Sequence, residues 1–261
     1  MSRFIDKLNQ ISRAEPQPIG FRTKQPSSPK PKLQLVASLA QEGAEDLADH
    51  MAGADAGLLR ISKPSSGGKA LRAISQAVPD IPWGGWLPAS GQGGIKQIIK
   101  AGGDFLVFPA ASPLATLENS ELGRIIEVET SLSEGWLRAV NELPVDAVLI
   151  APEEKEDYVL SWQHLMLFRR FADLLTKPLL VPIPDKVTAD ELQALWEAGV
   201  DGVVARVTAG QPQDRLEELR QVIDKLAFPS TRPREKVGAL IPHISQEPEI
   251  VTAEEEEEED E

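Results

Sequence analysis

Leu195-Trp196-Glu197-Ala198-Gly199-Val200-Asp201-Gly202-Val203-Val204-Ala205-Arg206-Val207 reads as the end of an amphipathic helix, a glycine stop and a buried parallel strand in immediate succession. Glycine just past a periodic apolar segment is a stop signal, and the unbroken apolar run that follows suits a strand covered on both faces. Related wording occurs three more times. Ala52-Gly53-Ala54-Asp55 leads into Gly57-Leu58-Leu59-Arg60-Ile61, Ala101-Gly102-Gly103-Asp104 into Phe105-Leu106-Val107-Phe108, and Pro144-Val145-Asp146 into Ala147-Val148-Leu149-Ile150. The four aspartates stand 49, 42 and 55 residues apart. One unit therefore recurs, and the architecture is a periodic alternation of strands and helices.

Working outward from these junctions, strands are expected at 33–39, 57–62, 83–87, 105–108, 125–130, 147–150, 179–183 and 203–207. A helix is expected after each, at 44–51, 68–77, 93–101, 114–122, 134–141, 159–175, 189–198 and 215–226. Eight strand–helix units are the count of a (β/α)8 barrel of the TIM type. An open doubly wound sheet also alternates strands and helices. Two features favour the closed ring. The aspartate junction recurs at strands 2, 4, 6 and 8, while strands 3 and 7 are preceded by Pro82 and Pro178, a parity suited to two-unit modules. In addition, no strand-to-helix turn carries a dinucleotide glycine fingerprint. The expected organisation is one α/β barrel over residues 33–227, an arm over 1–32 and a proline-broken, acidic segment over 228–261.

The 261 residues carry a net charge of −14, but the run from Glu254 to Glu261 supplies eight of the negative charges. Like charges at that density repel one another, so a solvated tail is expected. Residues 1–32 lean the other way, with seven Lys/Arg against Asp6 and Glu15. In that arm Phe4, Ile5, Leu8 and Ile11 share one helical face, and five prolines follow between residues 16 and 31. Such a helix either folds back to plug the bottom of the barrel or docks on a protein partner or membrane surface. The acidic tail is a second candidate partner surface. Nucleic acid is not expected as a partner, because the arm lacks an aromatic–basic platform and the body is acidic. The absence of cysteine rules out disulfides and thiolate chemistry. No apolar run approaches the roughly 20 residues of a membrane span, and no secretion signal is legible, so a cytoplasmic protein is expected.

In such barrels chemistry sits at the C-terminal ends of the strands. The ionisable residues embedded in apolar strands near those ends are Arg60, Glu127, Glu129 and Arg206. Arg60 and Arg206 occupy equivalent positions on strands 2 and 8, which flank strand 1. Glu127 and Glu129 share a face of strand 5, across the ring. They form either an anion grip with proton-transfer groups or an ion network satisfying itself, in which nearby arginines would depress the carboxylate pKa values. Both faces of these strands are apolar, so the direction of the arginines is not legible. Glycine-rich helix starts at Gly67, Gly68 and at Gly93, Gly94 are further candidates for anion binding through free N–H groups, or else ordinary turn chemistry. The four repeat aspartates are expected to bond turn backbone, and no metal site is expected from His50, His164 and His243.

The segment Ala198-Gly199-Val200-Asp201-Gly202-Val203-Val204-Ala205-Arg206 resembles the last unit of the phosphate-binding TIM barrels, the group of thiamine phosphate synthase-like and phosphoribosyl isomerase-like enzymes. The resemblance implies a phosphate held by backbone N–H groups after strands 7 and 8. The chain departs from that pattern at Val181-Pro182-Ile183-Pro184-Asp185, where the prolines offer no donors. Two functions remain open. One is a degenerate, non-catalytic barrel acting as a scaffold or binding module. The other is a lyase or isomerase of a phosphorylated or carboxylated metabolite, with Arg60 and Arg206 holding the anion and Glu127 or Glu129 moving a proton. No cofactor is specified.

Overall fold

Eight parallel strands follow one another around a closed ring in chain order. They are β1 (Gln34–Ala40), β2 (Ala56–Arg60), β3 (Trp83–Trp86), β4 (Phe105–Pro109), β5 (Gly123–Val128), β6 (Ala147–Ile150), β7 (Leu179–Ile183) and β8 (Gly202–Val207). The ring closes through β1 and β8, with Val36 beside Val204. A computed structural model describes residues 2–12, 33–88, 94–114, 122–152 and 159–226. Around the ring lie a 3-10 helix (Glu45–Met51) and the helices α2 (Pro64–Ala77), α3 (Gly94–Lys100), α4 (Glu134–Val140), α5 (Trp162–Leu174), α6 (Ala189–Glu197) and α7 (Arg215–Lys225). The segment expected to be helical at 44–51 thus forms the tighter 3-10 turn. Most of the helix expected at 114–122, the linker 13–32 and the acidic tail lie outside the described residues.

The repeated wording has a repeated physical job. At Gly102 and Gly199 the backbone takes φ +83° and +98°, where a side chain would be strained. Gly199 N–H then donates to Trp196 O and Val200 N–H to Leu195 O, and Gly102 and Gly103 make the same pair of bonds to Ile99 and Ile98. This double bond is the Schellman closure of a helix. The aspartate that follows ties the next strand to its predecessor. Asp55, Asp104, Asp146 and Asp201 each donate backbone N–H to a carbonyl at the start of the neighbouring odd strand, that of Leu35, Trp83, Arg124 and Leu179 respectively. Three of the carboxylates also accept that neighbour's N–H: Leu35 on Asp55, Arg124 on Asp146 and Leu179 on Asp201, at 2.7–2.8 Å. The expectation that these residues serve the backbone describes their bonding.

Asp104 is the exception, and it explains the N-terminal arm. Its carboxylate accepts from Ser2 Oγ at 2.7 Å, Arg3 N at 2.8 Å and Phe4 N at 3.0 Å. These bonds satisfy the orphan donors at the start of α1 (Arg3–Ser12). They hold the helix across the N-terminal end of the barrel. Phe4, Ile5 and Leu8 are buried there among Val36, Ala56, Leu58, Phe105, Ile125 and Val204, and the Phe4 ring centroid lies 4.7 Å from that of Phe105. Of the two readings of the helix, the plug describes its packing. Phe4, Ile5 and Leu8 of its apolar face are spent on the barrel interior, while Ile11 is half-buried. No helix among the described residues is long and apolar enough to cross a membrane.

Candidate functional site

Strand alternation decides which side chains reach the C-terminal mouth. On β2, Ala56 and Leu58 belong to the barrel interior, so Arg60, two residues on, faces the same side. The same step leads from Val204 to Arg206 on β8 and from Ile125 to Glu127 on β5. Register places Arg60 beside Ala40 of β1 and Trp86 of β3, and Arg206 beside Ser38 of β1. Arg60 and Arg206 are exposed and Glu127 is half-buried. Three of the four embedded charges therefore stand on the inward face at one end of the ring.

Trp86 links two of them. Its ring lies under Arg60, with the guanidinium carbon 4.5 Å from the ring centroid, a cation–π contact worth about 0.5–2 kcal/mol. Its indole Nε1 donates to Glu127 Oε2 at 2.8 Å, reaching past β4 to do so. Trp86 is 8 % exposed and fills the space an Arg–Glu ion pair would occupy. Burial pushes the Glu127 carboxyl up, against the opposing pull of the Trp86 N–H and the Arg60 charge. The arginine effect expected from sequence is present, but desolvation outweighs it. Trp83, three residues before Trp86, faces outward and donates from Nε1 to Val78 O.

Glu129 does not join this group. β5 ends at Val128, and Glu129 is exposed in the following turn, where it accepts from Ser131 Oγ at 3.2 Å and its carbonyl accepts from Leu132 N. Arg206 makes no side-chain ion pair among the described residues. No cluster of three His, Cys, Asp or Glu that could hold a metal ion occurs among the described residues.

The glycine-rich helix starts are built for packing. A Cβ on Gly67 would stand 2.5 Å from Ile61 Cγ2, one on Gly68 2.8 Å from Gln97 Cβ, and one on Gly94 would collide with Leu87. The donors at the start of α2 are also taken. Ser66 and Gly67 N–H both reach Lys63 O. Gln41 Oε1 accepts from Ser62 N and Lys63 N at 3.1 and 3.0 Å, while its Nε2 donates to Ser66 Oγ at 2.6 Å. The Gly67 N–H considered for anion binding is therefore occupied within the turn. Gly93 lies outside the described residues.

The phosphate cup implied by the family resemblance is also replaced. Between the exits of β7 and β8 stands the Arg215 guanidinium, from the first turn of α7. It donates to Arg206 O at 2.8 Å, Gln211 Oε1 at 2.9 Å and Asp185 O at 3.0 Å. Thr208 N–H is occupied by Gln211 Oε1. Carbonyls around a cation are the reverse of N–H groups around an anion. Sequence reading missed the bridge that Trp86 makes between Arg60 and Glu127, and it missed Arg215. The odd spacing of Trp83 and Trp86 was the available signal for the first, because it puts them on opposite faces. A pocket of about 260 Å³ beside Arg3, Trp83 and Asp104 lies at the opposite, N-terminal end.

No protein-family model and no curated protein matches the chain. Solved structures do. A tryptophan synthase structure from Mycobacterium tuberculosis superposes with a TM-score of 0.60 at 17 % identity, covering 85 % of this chain and 96 % of that one. A mutant tryptophan synthase α-subunit from the hyperthermophile Pyrococcus furiosus gives 0.57 at 11 %, covering 73 % and 96 %. At these identities the likeness is one of fold, the (β/α)8 barrel, which hosts many unrelated functions.

Proposed function

We propose that this barrel is a binding module for a small anionic molecule, taken at the C-terminal mouth between Arg60 and Arg206. The observation that carries this reading is the inward parity of two exposed guanidinium groups on the strands either side of β1. Between them β1 presents only Ser38 and Ala40, small residues that leave room for a ligand. Two like charges flanking β1, with no carboxylate of the described residues between them, favour an intervening anion.

Binding without turnover is favoured by how Glu127 is held. Catalysis of a proton shift needs a mobile acid or base with a partner across the substrate. Glu127 is fixed by Trp86, and no second acid–base group faces it among the described residues. The alternative, a lyase or isomerase, draws on the raised Glu127 carboxyl, which is the direction a general acid at neutral pH requires.

A thermal-shift screen of anionic metabolites tests the binding reading, because a ligand raises apparent stability by mass action. A stabilising anion whose effect disappears in the Arg60→Ala, Arg206→Ala double variant is the expected result. Absence of any such anion across phosphorylated and carboxylated metabolites contradicts it. Following the bound compound by proton NMR separates the alternatives: conversion that stops in Glu127→Gln makes the protein an enzyme.

A further inference from the structure

Backbone donors around the rim determine which anion the mouth can hold. A phosphate dianion spreads its charge over three terminal oxygens, and proteins cradle it with converging N–H groups at a helix N-terminus or a turn nest. Here three of the stretches that could provide such a cradle have few N–H groups to spare. Pro182 and Pro184 have no N–H to give at the exit of β7. At the exit of β8, Thr208 N–H goes to Gln211 and the carbonyls of Asp185 and Arg206 converge on Arg215. At the start of α2, Ser62 and Lys63 N–H go to Gln41, and Ser66 and Gly67 N–H go to Lys63 O.

Among the described residues, the side-chain donors that the inward faces of β1, β2 and β8 bring to the mouth are the Arg60 and Arg206 guanidinium groups and the Ser38 hydroxyl. Ser38 is 5 % exposed, is the register partner of Arg206, and makes no hydrogen bond to another described residue. We propose, resting on the binding reading above, that the ligand of the mouth is a small carboxylate and not a phosphate ester. A planar guanidinium fork matches the two oxygens of a carboxylate in parallel, and Ser38 donates to the same group or to a neighbouring hydroxyl.

Titration of the full chain with glycerate and malate, against glycerol phosphate and inorganic phosphate, tests this by calorimetry and thermal shift. Expected are saturable binding of at least one carboxylate, a Kd about ten- to a hundredfold weaker in Arg206→Ala, and no phosphate binding at tenfold higher concentration. Arg206→Lys, which keeps the charge and loses the fork, is expected to weaken the carboxylate as well. Arg206 is exposed and makes no ion pair with a described residue, so its variants should melt like the parent, while Arg60→Ala should melt lower by what its contact with Trp86 contributes. If the phosphates bind and Arg206→Ala abolishes that binding, the carboxylate inference is wrong while the mouth remains a site. Should neither class bind, or should carboxylate binding survive in both Arg60→Ala and Arg206→Ala, the mouth reading fails and this inference with it.

Discussion

Replacing Phe4 by alanine tests whether α1 is a working part of the barrel. Phe4 is fully buried, its ring packs on Phe105, and its N–H is bonded to Asp104. Truncation keeps the backbone bond and removes the ring from a space bounded by β-strand side chains that cannot collapse inward. Losses for buried Phe→Ala run at about 3–5 kcal/mol. For a domain near 200 residues each kcal/mol moves Tm by about 2–4 °C, so a fall of about 6–20 °C is expected. Urea unfolding followed by circular dichroism gives the free energy, and calorimetry gives Tm. Lys7→Ala, on the exposed side of the same helix, serves as control and should stay within about 0.5 kcal/mol. A Phe4→Ala loss below about 1 kcal/mol would refute the plug and return the helix to the role of a free docking arm.

Glu127→Gln should stabilise the protein at neutral pH. The folded-state pKa of Glu127 is raised by burial above its ordinary value of 4.5, so the folded state binds the proton more tightly. Stability is therefore lost as pH rises from the ordinary value through the raised one. Glutamine still accepts from Trp86 and removes that loss; a variant no more stable than the parent at pH 7, or as pH-dependent, counts against burial as the cause. Gly67→Ala should cost about 1–3 kcal/mol by overpacking against Ile61, with carboxylate affinity unchanged in calorimetry; an unchanged melt with weakened binding would restore the loop as an anion site. Asp201→Ala leaves the Leu179 N–H without its carboxylate partner in a fully buried position and should cost about 1–3 kcal/mol in urea unfolding. Asp201→Asn, which keeps an acceptor, should cost less, and equal losses would show that the bond is not the cause.

The ring was legible because its units repeat: the glycine closures at Gly102 and Gly199 and the four aspartates recur with the strands they introduce. The mouth was less so. Both faces of β2 and β8 are apolar in pattern, so only register with Val36 and Leu58 shows where Arg60 and Arg206 turn. Glu129 shares parity with Glu127, yet the strand ends between them, a boundary that pattern does not fix. Arg215 gave no signal, since Asp185 O and Arg206 O become its neighbours only when β7 and β8 lie side by side. Gly67 and Gly68 looked available for a ligand because the crowding by Ile61 and Gln97 comes from elements distant in sequence.

Fluorine NMR of the protein labelled with 5-fluorotryptophan tests the mouth most directly. The chain has five tryptophans, and Trp86 alone stands between Arg60 and Glu127; its resonance is assigned by its loss in Trp86→Phe. On titration with the carboxylate that binds, the Trp86 signal should move while those of Trp83, Trp136, Trp162 and Trp196 stay in place. A saturating ligand that leaves Trp86 unmoved, or shifts one of the other four instead, contradicts the account.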